Sequence, residues 1–248
     1  PPRSTLFPYT TLFRSVSGKS YVGNPDLDPE KSRTGDLGLG YSSAKTSLRF
    51  DVTYFQTLHD HKIVEEKMTS GEYTYVNAND SKMEGIELMT SYNLGQFLPE
   101  HPELEAYVNF SWILKNKFTQ KVGAEMLTRD MQYVRKANGN FGLNYRHDRI
   151  SMRLNSRYIG SRLEKDSFSA LRPGIVAANY YTKGGYKASD KILKHPEYLL
   201  FDYSVGYDFS EKVNFGVIIS NLLDENYSEK DGYNMPGRSI VGKLAYKF

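Results

Sequence analysis

The chain has no cysteine among its 248 residues. That excludes a disulfide framework, a thiolate metal site and catalysis by a cysteine nucleophile. It also has no block of one charge sign. Its 32 basic and 29 acidic side chains leave a net charge of +3, without the concentrated basic footprint that marks nucleic-acid binding, so no nucleic-acid partner is expected. No run approaches the ~18 apolar residues that a membrane-spanning helix needs. The residues present hold no methionine start and no basic segment leading into an apolar stretch, and so no secretory signal. There is no glycine-rich phosphate loop, no Ser-His-Asp spacing and no HExxH pattern. The expectation is a protein that is not an enzyme and carries no cofactor.

What is present in excess is tyrosine and phenylalanine, 20 and 13 of them against one tryptophan, combined with a mean hydropathy of -0.57. Many aromatics at low mean hydropathy suit strands that are apolar on one face and polar on the other. A membrane β-barrel is built in this way, and its signal per segment is far weaker than that of a membrane helix.

Strict alternation carries the fold prediction. Leu104, Ala106, Val108, Phe110 and Trp112 fall on one face of a strand, and Leu48, Phe50, Val52 and Tyr54 do the same. Further runs are Ile150, Met152, Leu154 and Tyr158; Leu199 through Phe209 at every second residue; and Val213, Phe215, Val217 and Ile219. About nine antiparallel strands are expected, over 31–42, 45–66, 72–95, 103–117, 131–146, 149–162, 197–209, 212–222 and 237–248. Most exceed the ~5–6 residues usual in soluble sheets and suit the ~9–11 of a tilted membrane-spanning strand. Short turns at Ser42–Lys45, Arg146–Arg149 and Ser210–Lys212 alternate with long polar loops near 117–130, 163–196 and 223–236. Outer-membrane barrels segregate short periplasmic turns from long extracellular loops in this manner. Arg49, Asp51, Arg149, Arg153, Arg157, Asp202 and Asp208 would face a wet lumen. The last strand places Leu244, Tyr246 and the terminal Phe248 on one face, the pattern of an outer-membrane assembly signal. Residues 1–15 repeat Ser4-Thr5-Leu6-Phe7 as Thr10-Thr11-Leu12-Phe13 and read as a non-native, adapter-derived segment, leaving 16–248 as the barrel portion.

Three stretches are more specific. Gly23-Asn24-Pro25-Asp26-Leu27-Asp28-Pro29-Glu30-Lys31-Ser32, followed by Leu37-Gly38-Leu39-Gly40-Tyr41, resembles a segment of the TonB-dependent outer-membrane receptors. Asn77-Ala78-Asn79 with Gly85-Ile86-Glu87-Leu88 resembles a strand of the same family. Asn221-Leu222-Leu223-Asp224-Glu225-Asn226-Tyr227, Gly232-Tyr233 and Pro236-Gly237-Arg238, ending at Phe248, resemble its C-terminal signature. They occur in family order, and the ending looks more like the cobalamin and ferric-siderophore branch than the carbohydrate-importing one.

The resemblance implies an all-β fold: an antiparallel transmembrane β-barrel fragment, about nine strands of an expected 22, with the plug domain missing. It implies a receptor in the outer membrane of a Gram-negative bacterium. The role would be energised uptake of a scarce nutrient such as a ferric siderophore, haem or cobalamin. The implied partners are the TonB–ExbB–ExbD complex (through the missing plug region), outer-membrane lipid, the barrel-assembly machinery and a small-molecule or metal-chelate ligand. A passive porin-like channel is the main alternative and a soluble β-sandwich the third.

For ligand contact, Tyr180, Tyr181, Lys183, Tyr186 and Lys187 combine aromatics and cations on a long loop, with Arg162, Lys165 and Arg172 nearby in sequence. His59 and His61 would share a strand face, but no third ligand is visible and no metal site is assigned.

Overall fold

The computed structural model describes residues 14–16, 19–44, 47–77, 80–122, 125–166 and 179–248. Ala78, Asn79, Arg172 and residues 1–13 of the expected appended segment lie outside them.

Nine strands form one antiparallel meander. They are β3 (Lys31–Ser43), β4 (Leu48–Asp60), β7 (Ser81–Asn93), β8 (Glu103–Val122), β10 (Ala137–His147), β11 (Ile150–Ile159), β14 (Tyr198–Asp208), β15 (Val213–Ser220) and β18 (Ser239–Tyr246). Each pairs with its neighbour in that order. These are the nine expected strands. β9 (Glu125–Asp130) extends the sheet by pairing with the far end of β8.

Register explains the alternation. One row across the sheet reads Leu39, Val52, Leu88, Phe110, Gly139, Tyr158, Leu199. Another reads Leu143, Leu154, Tyr203, Ile219, Ile240. Every apolar set therefore lands on one face, because the side-chain period is two and the pairing is in phase. The opposite face is concave and polar. Arg49, Asp51, Glu105, Asn109, Arg153 and Asp202 line a cavity of ≈ 1030 Å³ there. From Leu199 to Phe209 the convex apolar face covers about 33 Å of strand at ~3.3 Å per residue. At a barrel tilt of about 40° that is about 25 Å, the height of an outer-membrane apolar band.

The connections sort by length. One end carries the short connections, those from Ser43 to Leu48, His147 to Ile150 and Asp208 to Val213, and the 94–102 segment, which opens with the 3-10 turn Leu94–Phe97. β18 also finishes at this end, where the Lys247 amide donates to the Lys212 carbonyl. The other end carries everything long. β3 and β18 point the same way, as an odd count requires, so antiparallel closure of this sheet takes an odd number of further strands. Open strand edges in lipid would cost several kcal/mol for each unpaired group.

At the loop end the expected boundaries shift. The 45–66 and 72–95 runs each break in two. His61 adopts φ 58°, so the chain leaves the sheet and forms the hairpin β5 (Ile63–Lys67) and β6 (Tyr73–Asn77). This hairpin joins β1 (Arg14–Val16) and β2 (Lys19–Tyr21) in a separate sheet. The break also takes His61 off the strand that carries His59, so the two imidazoles do not share a strand face. Among the described residues no cluster of three or more metal-ligating side chains occurs. The expected loop at 117–130 is a β8–β9 hairpin, and strand 131–146 begins only at Ala137. The 163–196 loop contains the hairpin β12 (Arg162–Lys165) and β13 (Ile192–His195), and the 223–236 loop contains β16 (Ser228–Lys230) and β17 (Tyr233–Asn234).

Candidate functional site

Two polar surfaces are built on this frame: the concave wall and a crown of structured loops at its long-loop end.

On the wall, hydrogen bonds link β8, β10 and β11, the one from Tyr107 reaching across β10 to β11. Arg153 Nε donates to Asn144 Oδ1 at 2.8 Å, and Asn144 Nδ2 donates to Glu105 Oε2 at 3.2 Å. The Tyr107 hydroxyl donates to Asn155 Oδ1 at 2.6 Å. This surface holds both charge signs and many amides, so it can hydrogen-bond polar groups of either kind.

The crown has its own core. Leu163, Tyr186 and Ile192 are buried together, with Tyr181 packed against them. The Tyr186 hydroxyl donates to the Asp130 carbonyl, the Arg129 guanidinium lies 5.5 Å from its ring centroid, and burial pushes its phenol pKa up. Gly184 and Gly185 adopt φ 66° and 87°, a conformation that favours glycine. They fold the loop back over β9, where the Asp130 amide donates to the Gly184 carbonyl at 3.0 Å.

A second knot ties three crown segments together. The Glu164 carboxylate, 1% exposed, accepts from Arg162 Nε at 3.0 Å and Nη2 at 2.9 Å. Its other oxygen accepts from the Asp231 amide at 2.9 Å. Arg162 and Arg135 both donate to the Glu229 carbonyl, at 2.7 and 3.3 Å. Burial is the main cause that lowers the Arg135 pKa. Buried His195 lies 3.1 Å from Ser228 Oγ. Arg135, the paired strands β12 and β13, and residues 228–231 thus meet.

The loop residues read from the sequence divide. Lys183 and Lys187 are exposed, and Tyr180 and Tyr181 are half-buried. Tyr180 donates to Asp166 Oδ2 at 3.1 Å. Tyr186 is 4% exposed and sits inside the loop as core, not at its surface. Glu164, Arg135, Asp130 and His195 carry no sequence signal as a site, and Arg162, expected beside the ligand loop, is tied to Glu164 and the Glu229 carbonyl. The runs RLEK and ILKH are too short to show a period.

The signature residues act as fasteners. Asn24 Nδ2 donates to the Tyr75 carbonyl at 2.9 Å, and Glu30 Oε1 accepts from the Ile63 amide at 2.7 Å. Asn77 accepts from the Asp28 amide and donates to the Asp28 and His61 carbonyls. Asn24-Pro25 through Pro29-Glu30 is thereby laid against the β5–β6 hairpin. A Cβ on Gly85 would come within 2.6 Å of the Trp112 carbonyl and 2.7 Å of the Phe55 ring, at the bulge between β7 and β8. Glu87 borders a concave pocket with Asn109 and Arg157. Asn221, 5% exposed with φ 51°, brackets Glu225 by donating to its carbonyl and accepting its amide, both at 2.9 Å. The Leu222 amide donates to the Phe201 carbonyl. Asp224 Oδ1 accepts from the Arg238 amide, just beyond Gly237, at 2.7 Å. Tyr227 packs on Tyr198 with ring centroids 4.7 Å apart. Leu244, Tyr246 and Phe248 stand exposed on β18 and its end.

A family model described as TonB dependent receptor-like, beta-barrel matches residues 1–222. The chain belongs to this family. Among curated relatives, it is 23% identical over 230 residues to the vitamin B12 transporter BtuB of Photobacterium profundum, covering 91% of this chain and 32% of that protein. Among solved structures, the FrpB iron transporter from Neisseria meningitidis aligns with a TM-score of 0.65 at 18% identity, over 93% of this chain and 33% of that one. The ferric citrate transporter FecA aligns with a TM-score of 0.63 at 20% identity, over 89% and 32%. The chain therefore spans about a third of the length of the relatives it matches. Family membership favours a receptor wall over a porin-like channel. The family is one of transporters and receptors.

Proposed function

We propose that this chain is part of an outer-membrane receptor for TonB-energised uptake of a scarce nutrient, of the class of a ferric siderophore, haem or cobalamin. The observation that carries the reading is a family match over residues 1–222 on a nine-strand wall with one apolar and one polar face. In this reading the convex face meets lipid and the concave face lines the lumen. The turn end is periplasmic and the crown extracellular, in a Gram-negative outer membrane. Lys183 and Lys187, exposed on the crown, attract an anionic chelate. Tyr180 adds an aromatic edge, and Tyr181 and Tyr186 hold the loop that displays them. The work of energy coupling falls to a plug segment engaging the TonB–ExbB–ExbD complex. Leu244, Tyr246 and Phe248 present the assembly signal to the barrel-assembly machinery. No bond of the cargo is made or broken.

The test has two steps. Sequencing the intact gene upstream of the codon for Val16 should show a plug-sized domain and a TonB-contacting segment. Uptake of labelled cobalamin and of ferric siderophores by cells expressing that gene should then vanish when TonB is deleted. An upstream region holding only further alternating strands, or uptake indifferent to TonB, would leave a passive channel.

A further inference from the structure

The convex face changes character abruptly at its loop end. The apolar band closes with Tyr54 and Trp112, which share the row Leu37, Tyr54, Ile86, Trp112. The next rows are not apolar. Gly35, Gln56, Glu84 and Lys115 form one, and Arg33, Leu58, Lys82 and Lys117 the row above it. Lys31 and Asp60 pair beyond them. The bulge is what puts the β8 lysines there. By simple alternation from Trp112, Lys115 and Lys117 would face the concave side. The shift in register between Glu84 and Gly85 inserts one residue and turns both lysines to the convex face.

Side-chain contacts agree with this placement. Glu84 Oε2 accepts from the Tyr54 hydroxyl at 3.2 Å and from Gln56 at 3.1 Å, and pairs with Lys82 at 2.8 Å. Arg33 pairs with Asp60 at 2.9 Å, and Lys117 pairs with Asp130. Five cations thus share this face with three carboxylates. Lys31 and Lys115 are exposed, and neither is in an ion pair among the described residues.

Tyrosine and tryptophan mark the membrane–water boundary of a barrel. A cationic ledge one row beyond them lies at head-group depth, where lysine and arginine favour anionic lipid and arginine can grip phosphate with two parallel hydrogen bonds. We propose that Lys31, Arg33, Lys82, Lys115 and Lys117 form a docking ledge for the phosphate groups of an outer-leaflet glycolipid. The inference rests on the outer-membrane reading above. Its occupant is a lipid head group, because the ledge is continuous with the apolar band, its rows beginning directly beyond Tyr54 and Trp112.

Native mass spectrometry of the intact receptor carrying these strands, purified in detergent, tests it. The probes are diphosphorylated lipid A, dephosphorylated lipid A and inorganic phosphate. Diphosphorylated lipid A should stay bound to the wild type. It should bind on the order of 100-fold more weakly to the triple variant Lys31→Gln/Lys82→Gln/Lys115→Gln, at roughly a factor of several for each cation removed. Glu84→Gln should tighten binding. Dephosphorylated lipid A should be lost from all forms, and millimolar inorganic phosphate should fail to displace the lipid. Equal retention by wild type and triple variant, both folded in the outer membrane, overturns this proposal alone. So does equal binding of dephosphorylated lipid, or displacement by millimolar phosphate. Absence of the wild type from the outer membrane overturns the functional reading and the ledge together.

Discussion

The wall and the crown bury opposite things. Across the wall large apolar side chains stand in the open: Trp112 is 54% exposed, Phe141 42% and Leu244 74%. In the crown Leu163, Tyr186 and Ile192 are 7%, 4% and 2% exposed, and the carboxylate of Glu164 is covered with them. The crown follows the rules of a water-soluble fold, where burial of apolar area drives packing and buried charges are paired. The wall breaks those rules on its convex face and keeps polar groups on its concave one. That arrangement is stable when the convex side is solvated by hydrocarbon and every backbone group is paired across strands. One chain is therefore written for two solvents, and the division runs along the row of Tyr54 and Trp112.

Substitutions that act on only one side of this division sharpen the comparison. The largest effect is expected from Glu164→Ala. It strands Arg162 without its carboxylate and frees the Asp231 amide, costing about 3–5 kcal/mol of crown stability, as for removing one partner of a buried pair. Hydrogen exchange at Asp231 in the intact protein should accelerate while exchange in β8 and β10 stays slow. Ile192→Ala should cost about 2–4 kcal/mol from lost burial and cavity formation, read as faster proteolysis of the 160–197 segment alone. Gly85→Ala acts on the wall. The new methyl meets the Trp112 carbonyl and the Phe55 ring, and overpacking of this kind costs about 1–3 kcal/mol, seen as a lower midpoint for unfolding of the barrel.

The smallest effect is the pH response of the contact between β2 and β5. There Lys19 Nζ lies 2.6 Å from Glu65 Oε1, and the Tyr21 hydroxyl donates to Oε2 at 2.5 Å. The hydrogen bond from Lys19 is the leading cause that lowers the Glu65 pKa, and the same bond raises that of Lys19. The Glu65 contribution is thus present above the ordinary carboxylate pKa and fades as pH falls through the lowered value. The Lys19 contribution is present below the ordinary lysine pKa and fades as pH rises through the raised one. Protease sensitivity of residues 19–21 should be lowest between these limits and rise at both extremes, with Glu65→Gln flattening the acid arm.

The wall was legible from sequence because alternation is a repeated signal. Nine alternating runs locate nine strands, and Leu104 through Trp112 shows which of its residues share a face. Its ends were not legible. Nothing in His59-Asp60-His61 announces that His61 takes a left-handed conformation and sends the chain into a second sheet. Nor does Lys115 announce that a bulge on its strand reverses its face. The β12–β13 and β16–β17 parts of the crown read as polar loop because their strands are four residues or fewer and their charges look solvated. Glu164 is buried only because three distant segments close over it. Tyr186 looked displayed beside two glycines, yet those glycines are what fold the loop over Asp130 and bury its ring.

The most direct test of the two-solvent wall places single cysteines in a stretch that has none of its own. Single cysteines at Tyr107, Val108, Asn109 and Phe110 in the intact receptor, in outer membranes, can be labelled with a water-soluble thiol reagent and, separately, with a fluorophore quenched by lipid-phase nitroxide. Tyr107→Cys and Asn109→Cys should react with the aqueous reagent and escape quenching. Val108→Cys and Phe110→Cys should do the reverse. Equal aqueous reactivity at all four positions would contradict a membrane wall and return the sheet to the soluble class.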